Sequence, residues 1–377
     1  MRASWSSILS RALAAGLILT AGAGAQPPKQ SPKTFSGNVD IREREILVSL
    51  PSNLAKARLH PNDFQVLVDG QPREVARAEP VAGPWTVLVY VDRVLAGPAT
   101  ELSSELTLAD HTRELTRLGT VEVAVAGPDP RTALPPTRES RPVKQALATL
   151  ADAARKERDH APAGQDGTPS GPRIRQQLDK LLAAVASRHP AGPRALFLVA
   201  DGAALSPAEV ALLDGGAAPA PGSPESTATA FLDASRRLAA QGWVVIPVAV
   251  RPGSPGTPVA PRGDLELFRE SASPSQHTNG PPPVLPGRAP APTPLAYPGV
   301  VALSTEPRLA PLRALAEGTA GAVIGYDVQL PGLFAELPRR WTVWVAEPAA
   351  PADNRLHTLS VRLPGRKAEA RAPRWLP

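Results

Sequence analysis

The sequence predicts an α/β protein whose doubly wound, mainly parallel sheet is inserted between N- and C-terminal β segments that form a small β-sandwich. Continuous apolar runs such as WTVLVYVD (85–92) are typical of strands that are buried on both faces. Amphipathic segments with helical spacing separate these runs, as expected of a sheet covered by helices. Alternating apolar and polar residues at both ends of the chain indicate further strands. Neither end holds enough strands for a stable sheet, so the two ends are expected to pair.

Residues 1–25 are predicted to be a signal peptide. Arg2 and Arg11 provide its basic start, ALAAGLILTAGAGA provides an apolar core, and Ala23-Gly24-Ala25 is a cleavage site of small residues. The apolar run is shorter than the roughly 20 residues that span a bilayer, which favours cleavage over an N-terminal membrane anchor. The mature protein is therefore expected to be exported, to the periplasm, the cell surface or the medium, with no stable membrane insertion.

The elements follow in order along the chain. An N-terminal β segment is predicted over 34–80, with a tight hairpin at Asp69-Gly70. The α/β domain is predicted over 84–338, with strands at WTVLVYVD, GTVEVAVAG, RALFLVADG, WVVIPVAV and AVIGY. Its helices are predicted at ATELSSELTLADHTRELTRL, RPVKQALATLADAARKERD, RIRQQLDKLLAAVASR, TAFLDASRRLAAQG (closed by Gly242) and EPRLAPLRALAEGTAG. A C-terminal β segment over 339–375 is expected to pair with the N-terminal one.

Two proline-rich insertions interrupt the α/β pattern, at 214–229 and 251–298. The chain contains 46 prolines, and these stretches are too rich in Pro and Gly to pack as regular elements. We interpret both as surface loops that act as spacers. A proline-rich docking peptide is the alternative interpretation.

Composition and motifs exclude several function classes. The chain has no cysteine, which excludes disulfides, thiolate metal sites and cysteine nucleophiles. No basic block is interleaved with aromatic residues, so nucleic-acid binding is not expected. The six histidines show no metal-ligand spacing, and no Gly-x-Ser-x-Gly, Walker A or dinucleotide motif is present. The protein is therefore predicted not to be an enzyme and to use no cofactor.

Four segments carry a resemblance to a known family. LHPNDFQVLVDGQPREV resembles the entry segment of the bacterial VWFA-related proteins first described from acidobacterial genomes. A strand ending in Asp and a strand ending in Asp-Gly follow it, as in von Willebrand factor type A domains. LRALAEGTAGAVI and HTLSVRLPGRKAEARAPRWLP are similar to later segments of the same proteins. The resemblance covers roughly residues 55–375 and implies a VWFA-like, Rossmann-like fold.

The resemblance also implies a metal-ion-dependent adhesion site, built from Asp-x-Ser-x-Ser, a threonine and a later aspartate. Asp92 matches the first aspartate, Asp201 matches the later one, and Thr168 is the candidate threonine. Val94 and Ala96 stand where the two serines belong, so both hydroxyl ligands are missing. Mg²⁺ requires six oxygens in octahedral geometry. The site is therefore predicted to be degenerate and to bind no metal, with the aspartates capping the turns that follow their strands.

The predicted function is that of an exported, non-catalytic protein-interaction protein, an adhesin or a scaffold. Its interaction face is expected to include Asp92, Arg93 and Asp201, and its protein partner is unknown. A metal-dependent adhesin with a residual Mg or Ca site is one alternative. An extracytoplasmic hydrolase of unrecognised type is the other.

Overall fold

The computed structural model describes residues 41–51, 54, 57–127, 130–160, 171–188, 192–213, 226–251, 306–348, 357–366 and 368–376. The predicted signal peptide, Thr168 and most of the two proline-rich insertions lie outside these residues.

Strands and helices alternate through the middle of the chain. The strands are β1 (Ile41–Val48), β2 (Gln65–Val68), β3 (Gln71–Arg73), β4 (Val75–Pro80), β5 (Trp85–Asp92), β6 (Gly119–Ala126), β7 (Arg131–Thr137), β8 (Arg194–Val199), β9 (Trp243–Val248), β10 (Trp341–Pro348), β11 (His357–Leu363), β12 (Ala368–Ala370) and β13 (Trp375–Leu376). The helices are α1 (Pro98–Asp110), α2 (Thr112–Leu118), α3 (Ser140–His160), α4 (Gly171–Ala186), α5 (Pro207–Leu213), α6 (Thr227–Ala240), α7 (Ala310–Gly318) and α8 (Leu330–Glu336). Within the described ranges, no helix combines the length and the apolar character needed to cross a membrane.

A five-stranded sheet in the order β7-β6-β5-β8-β9 forms the centre of the α/β part. Strand β5 runs parallel to both β6 and β8, and β8 runs parallel to β9. Only β7, at one edge, is antiparallel to its neighbour. The predicted fold class, an α/β protein with a mainly parallel sheet between helices, is confirmed.

Both faces of this sheet are buried, which explains the continuous apolar runs. Val87, Val89 and Val91 of β5 pack with residues of α1, α2, α3 and α8 on one face. Leu88 and Tyr90 pack with α4, α6 and α7 on the other. Because successive side chains of a strand point to opposite faces, and both faces are covered, β5 is apolar at nearly every position before Asp92, with Thr86 as the polar exception.

The N- and C-terminal segments pair as predicted. Strand β10 lies between β1 and β4 in one sheet, and β11 pairs with β2 and β12 in a second. The two sheets share one core, which includes Ile46, Phe64, Val66, Trp341 and Val361. Each sheet contains strands from both ends of the chain, so neither end forms the sandwich alone.

The Asp69-Gly70 turn connects β2 and β3, and it also ties the two ends of the chain together. Both residues have positive φ, 50° and 76°, as a two-residue hairpin turn requires. The Asp69 carboxylate lies 2.6 Å from His357 Nδ1 and accepts a 2.8 Å hydrogen bond from the Thr358 N–H. These hydrogen bonds lower the pKa of Asp69 to about 2. The predicted hairpin therefore anchors the start of β11.

Three predicted features differ in the structure, and three elements were not predicted. The helix expected over 99–118 divides at His111, whose ring lies 2.7 Å from Asp327 Oδ1 and packs against Phe334. AVIGY makes a single bridge from Ile324 to Val248 rather than a strand. The insertion predicted to reach residue 229 ends earlier, because Ser226 caps α6 through the Thr229 N–H. The edge strand β7 and the short helices α5 and α8 were not predicted.

Candidate functional site at the carboxyl ends of the parallel strands

The loops that follow β5 and β8 meet at one edge of the central sheet. The chain passes from β5 to β6 on one side, while β8 lies on the other, so β5 marks the point where the strand order reverses. In open α/β sheets, ligands bind at the carboxyl ends of the strands at such a point. The Asp201 N–H donates a 2.9 Å hydrogen bond to the Leu95 carbonyl, which joins the two loops directly.

Asp92 ends β5, and its carboxylate organises the turn that follows. The side chain is buried, and Oδ1 accepts 2.9 Å hydrogen bonds from the N–H groups of Val94 and Leu95. These are the turn-capping bonds expected of this residue. Oδ2 is buried without a hydrogen-bond partner in the described structure. Burial raises the pKa of Asp92 to about 6, and the two backbone hydrogen bonds and Lys180 oppose that rise.

Asp201 is held by arginines, and not by the backbone N–H groups expected to surround it. Its Oδ2 lies 3.2 Å from Arg308 Nη2, and its Oδ1 lies 3.9 Å from Arg251 Nη2. Arg251 also lies 2.6 Å from Glu306 Oε1. Burial raises the pKa of Asp201, while the two arginines and a hydrogen bond from Thr100 lower it. The negative charge of Asp201 is thus balanced by guanidinium groups.

Arg93 connects two helices at the same edge. Its Nε lies 3.1 Å from Oε1 of Glu101 in α1, and its Nη1 lies 3.0 Å from Oε1 of Glu157 in α3. Glu101 is buried, and burial raises its pKa to about 7, which the charge of Arg93 opposes. Arg93 Nε and Glu101 Oε1 are close without the alignment of a hydrogen bond, so their attraction is mainly Coulombic. The predicted interaction residue Arg93 therefore also holds α1 and α3 together.

The oxygen donors at this edge do not fit the coordination that Mg²⁺ requires. Val94 and Ala96 have no side-chain oxygen, Asp92 Oδ1 already accepts two hydrogen bonds, and Asp201 faces arginines. Across the described ranges, no group of three or more His, Cys, Asp or Glu residues is arranged to hold a metal ion. Two buried oxygens that have no described hydrogen-bond partner, Asp92 Oδ2 and Asp201 Oδ1, are not enough for an octahedral oxygen shell.

No protein-family model matches the chain, and no curated protein matches it. Among solved structures, the chain is similar to the conserved hypothetical protein BatB from Bacteroides thetaiotaomicron, at 12% identity and a TM-score of 0.34, over 67% of this chain and 97% of that one. It is also similar to an aerotolerance-related membrane protein from Bacteroides fragilis, at 16% identity and a TM-score of 0.32, over 67% of this chain and 96% of that one. A third similar structure is the vWF domain of the type V pili tip protein Mfa5 from Porphyromonas gingivalis. The identity is 13% and the TM-score is 0.23, over 35% of this chain and 44% of that one. All three TM-scores are low, so the fold is assigned from the strand order and burial of this chain.

Sequence reasoning missed three residues that contact Asp201. Arg251 and Arg308 lie beside the proline-rich insertion and belong to no motif, so nothing in the sequence indicates that they converge. Thr100 could have been found from the sequence, because it is the first hydroxyl residue after Asp92 and lies in the first turn of α1. All three residues lie beside the Asp201 carboxylate.

Replacing Gly202 with alanine is expected to lower the free energy of unfolding by about 1–3 kcal/mol, which urea denaturation measures. Gly202 has φ +83°, and a Cβ there would overlap the carbonyl oxygen of Arg308. The Ala203 N–H donates to that same oxygen at 3.2 Å. The control is Gly332→Ala in α8, where a Cβ meets no atom within 4 Å, and a gain of about 0.5–1 kcal/mol is expected. Equal effects of the two changes would contradict the proposed contact.

Proposed function

We propose that this protein is an exported, non-catalytic protein-interaction protein, an adhesin or a scaffold, with a VWFA-like domain whose adhesion site has become metal-independent. The partner contacts the carboxyl-edge face, defined as residues 93–97 and 201–206 together with Arg251 and Arg308. Export is inferred from the predicted signal peptide over residues 1–25. The absence of catalytic motifs from the sequence supports a non-catalytic role.

The pairing of Asp201 with Arg308 is the observation that carries this proposal. In a metal-dependent site, the cation would balance the aspartate charge and leave a position for a carboxylate of the partner. Here Arg308 Nη2, 3.2 Å from Asp201 Oδ2, balances that charge from within the protein. A partner would then meet a face of mixed side chains, and binding would depend on packing and direct hydrogen bonds.

Calorimetric titration of the purified protein with Mg²⁺, Mn²⁺ or Ca²⁺ is expected to show no saturable binding. The physical reason is the donor set: both serine positions lack hydroxyls, and one oxygen of each aspartate is already engaged by the protein. Saturable binding that is lost in Asp92→Ala and kept in Asp179→Ala, an exposed carboxylate on α4, would instead establish the metal-dependent adhesin. The buried Asp92 Oδ2, which has no described hydrogen-bond partner, is the atom that makes this alternative worth testing.

The face itself is tested by adding bulk to it. Ala204 is exposed in the loop after β8, so Ala204→Trp changes the surface without removing a buried contact. A protein captured from envelope extracts by the wild type is expected to be lost with Ala204→Trp. It should be retained with the matched control Ala183→Trp, which is exposed on α4. Equal capture by both variants would show that the partner binds elsewhere.

A further inference from the structure

A second site, independent of the proposed function, lies where α8 meets the β-sandwich. A cavity of about 320 Å³ is lined there by apolar groups, among them Leu50, Pro51 and Ala335, and by polar groups including Glu336 and Arg371. The carbonyl of Arg340, just after α8, accepts a 2.8 Å hydrogen bond from the Val81 N–H shortly before β5 begins. The cavity is therefore near the amino ends of the parallel strands, at the opposite edge of the sheet from the carboxyl-edge face.

The acidic residue in the cavity wall, Glu336, accepts three hydrogen bonds. Glu336 Oε1 accepts a 2.7 Å hydrogen bond from Ser49 Oγ and one of 3.1 Å from Arg340 Nη2. Its Oε2 accepts a 3.4 Å hydrogen bond from Arg371 Nη2, whose Nη1 donates to the Gly321 carbonyl at 3.1 Å. These donors hold the pKa of Glu336 below its ordinary value although burial opposes them.

Positive charge exceeds negative charge around this cavity. Arg339 and Arg371 line it, and Arg340 lies behind Glu336, so three guanidinium groups surround one carboxylate. Arg339 is exposed and makes no ion pair within the described part of the chain. Arg340 is completely buried, and its Nε and Nη1 have no hydrogen-bond partner among the described residues. Burial lowers the pKa of Arg340 to about 10, and the charge of Arg371 acts in the same direction.

We propose that this cavity binds a carboxylate that is carried on a short apolar group. An arginine side chain presents paired N–H donors that match the geometry of a carboxylate, and the exposed Arg339 in the cavity wall supplies them. Arg371, whose Nη1 and Nη2 already donate to Gly321 and Glu336, adds positive charge to the same wall. Leu50, Pro51 and Ala335 provide an apolar surface for the attached group, in a volume typical of small-ligand sites. A singly charged carboxylate fits better than a phosphate, because Glu336 in the wall repels a second negative charge. A free organic acid and the C-terminus of a peptide share this chemistry.

The proposal is tested with N-acetyl-leucine as the probe and the uncharged N-acetyl-leucinamide as its control, by calorimetry or NMR titration on the whole protein. Saturable binding of the acid but not of the amide is expected. Arg339→Gln, which breaks no described contact, should weaken that binding about tenfold, as for loss of a charge-assisted hydrogen bond. Arg366→Gln, an exposed arginine in the turn after β11, should leave it unchanged.

Three outcomes would overturn the proposal: no saturable binding of the acid, equal binding of acid and amide, or equal affinity in Arg339→Gln and Arg366→Gln. Unfolding curves of both variants establish that each is folded as the wild type is. N-acetyl-Ala-Ala-Leu with a free carboxyl group then distinguishes the two sources of ligand. Tighter binding than N-acetyl-leucine assigns a peptide C-terminus, and equal or weaker binding assigns a small organic acid.

Discussion

Replacing Glu336 with glutamine is expected to lower the free energy of unfolding by about 3–5 kcal/mol, the usual cost of leaving a buried charge without its partner. The charge concerned is that of Arg340, which is 0% exposed and whose Nη2 lies 3.1 Å from Glu336 Oε1. A guanidinium group keeps its proton at neutral pH even in a protein interior, so Arg340 cannot escape the penalty by losing a proton. Urea unfolding followed by tryptophan fluorescence measures the loss, since Trp341 immediately follows Arg340.

A second change should reverse most of this loss. Adding Arg340→Met to the Glu336→Gln variant removes the unpaired charge and leaves an apolar side chain of similar length in its place. Buried ion pairs replaced by apolar residues are often close to neutral in stability. The matched control is Glu317→Gln, an exposed glutamate on α7 that should change stability little. If Glu336→Gln costs no more than Glu317→Gln, Arg340 is not held by Glu336.

The strands of the central sheet could be predicted from sequence because burial on both faces makes each of them a continuous apolar run. β5 is the clearest case, since its seven residues before Asp92 are almost completely apolar. β7 could not be found this way, because RTALPPT is largely exposed and contains two prolines, which within sheets occur mainly in edge strands such as this one. The start of helix α5, in contrast, could have been predicted from a capping-box pattern. Ser206 is followed three positions later by Glu209, whose Oε2 accepts a 3.0 Å hydrogen bond from the Ser206 N–H.

The candidate site was only partly predictable, for reasons that concern distance along the chain. Asp92 could be placed because it ends a recognisable strand, and its capping of the next turn is a local interaction. Arg308 lies more than a hundred positions after Asp201, and its contact depends on how α7 and the loop before it pack. The spacing of apolar residues indicates which face of a helix is buried, but an ion pair between residues far apart in the sequence produces no comparable pattern.

The buried acidic residues of α1 are the strongest example of tertiary packing that overrides sequence expectation. Glu101 and Glu105 lie four positions apart, a spacing at which two like charges repel on an exposed helix. Both are instead almost completely buried, because α3 packs along α1. Glu105 is 0% exposed, and neither of its carboxylate oxygens has a described hydrogen-bond partner.

The pKa of Glu105 is raised to about 9, mainly by burial and also by the charges of Glu101 and Glu157, while the charge of Arg93 opposes the rise. The folded protein therefore keeps this proton in a pH range in which the unfolded chain, with an ordinary pKa of 4.5, releases it. The free energy of unfolding must then fall as pH rises from about 4.5 to about 9. Keeping the carboxyl protonated at pH 7 costs about 3 kcal/mol.

Glu105→Gln is accordingly expected to stabilise the protein at pH 7 by about 3 kcal/mol, because the amide needs no proton to remain neutral. Urea unfolding between pH 7 and pH 9 isolates the effect. The raised pKa values of Glu101, about 7, and Asp92, about 6, have had their main influence below that range. Between pH 7 and pH 9, the free energy of unfolding of the wild type should continue to fall, while that of Glu105→Gln should stay constant. The control Glu139→Gln changes an exposed residue just before α3, and its profile should follow that of the wild type. Parallel profiles for Glu105→Gln and the wild type would mean that Glu105 is ionised in the folded protein, in which case Arg93 and not protonation neutralises it.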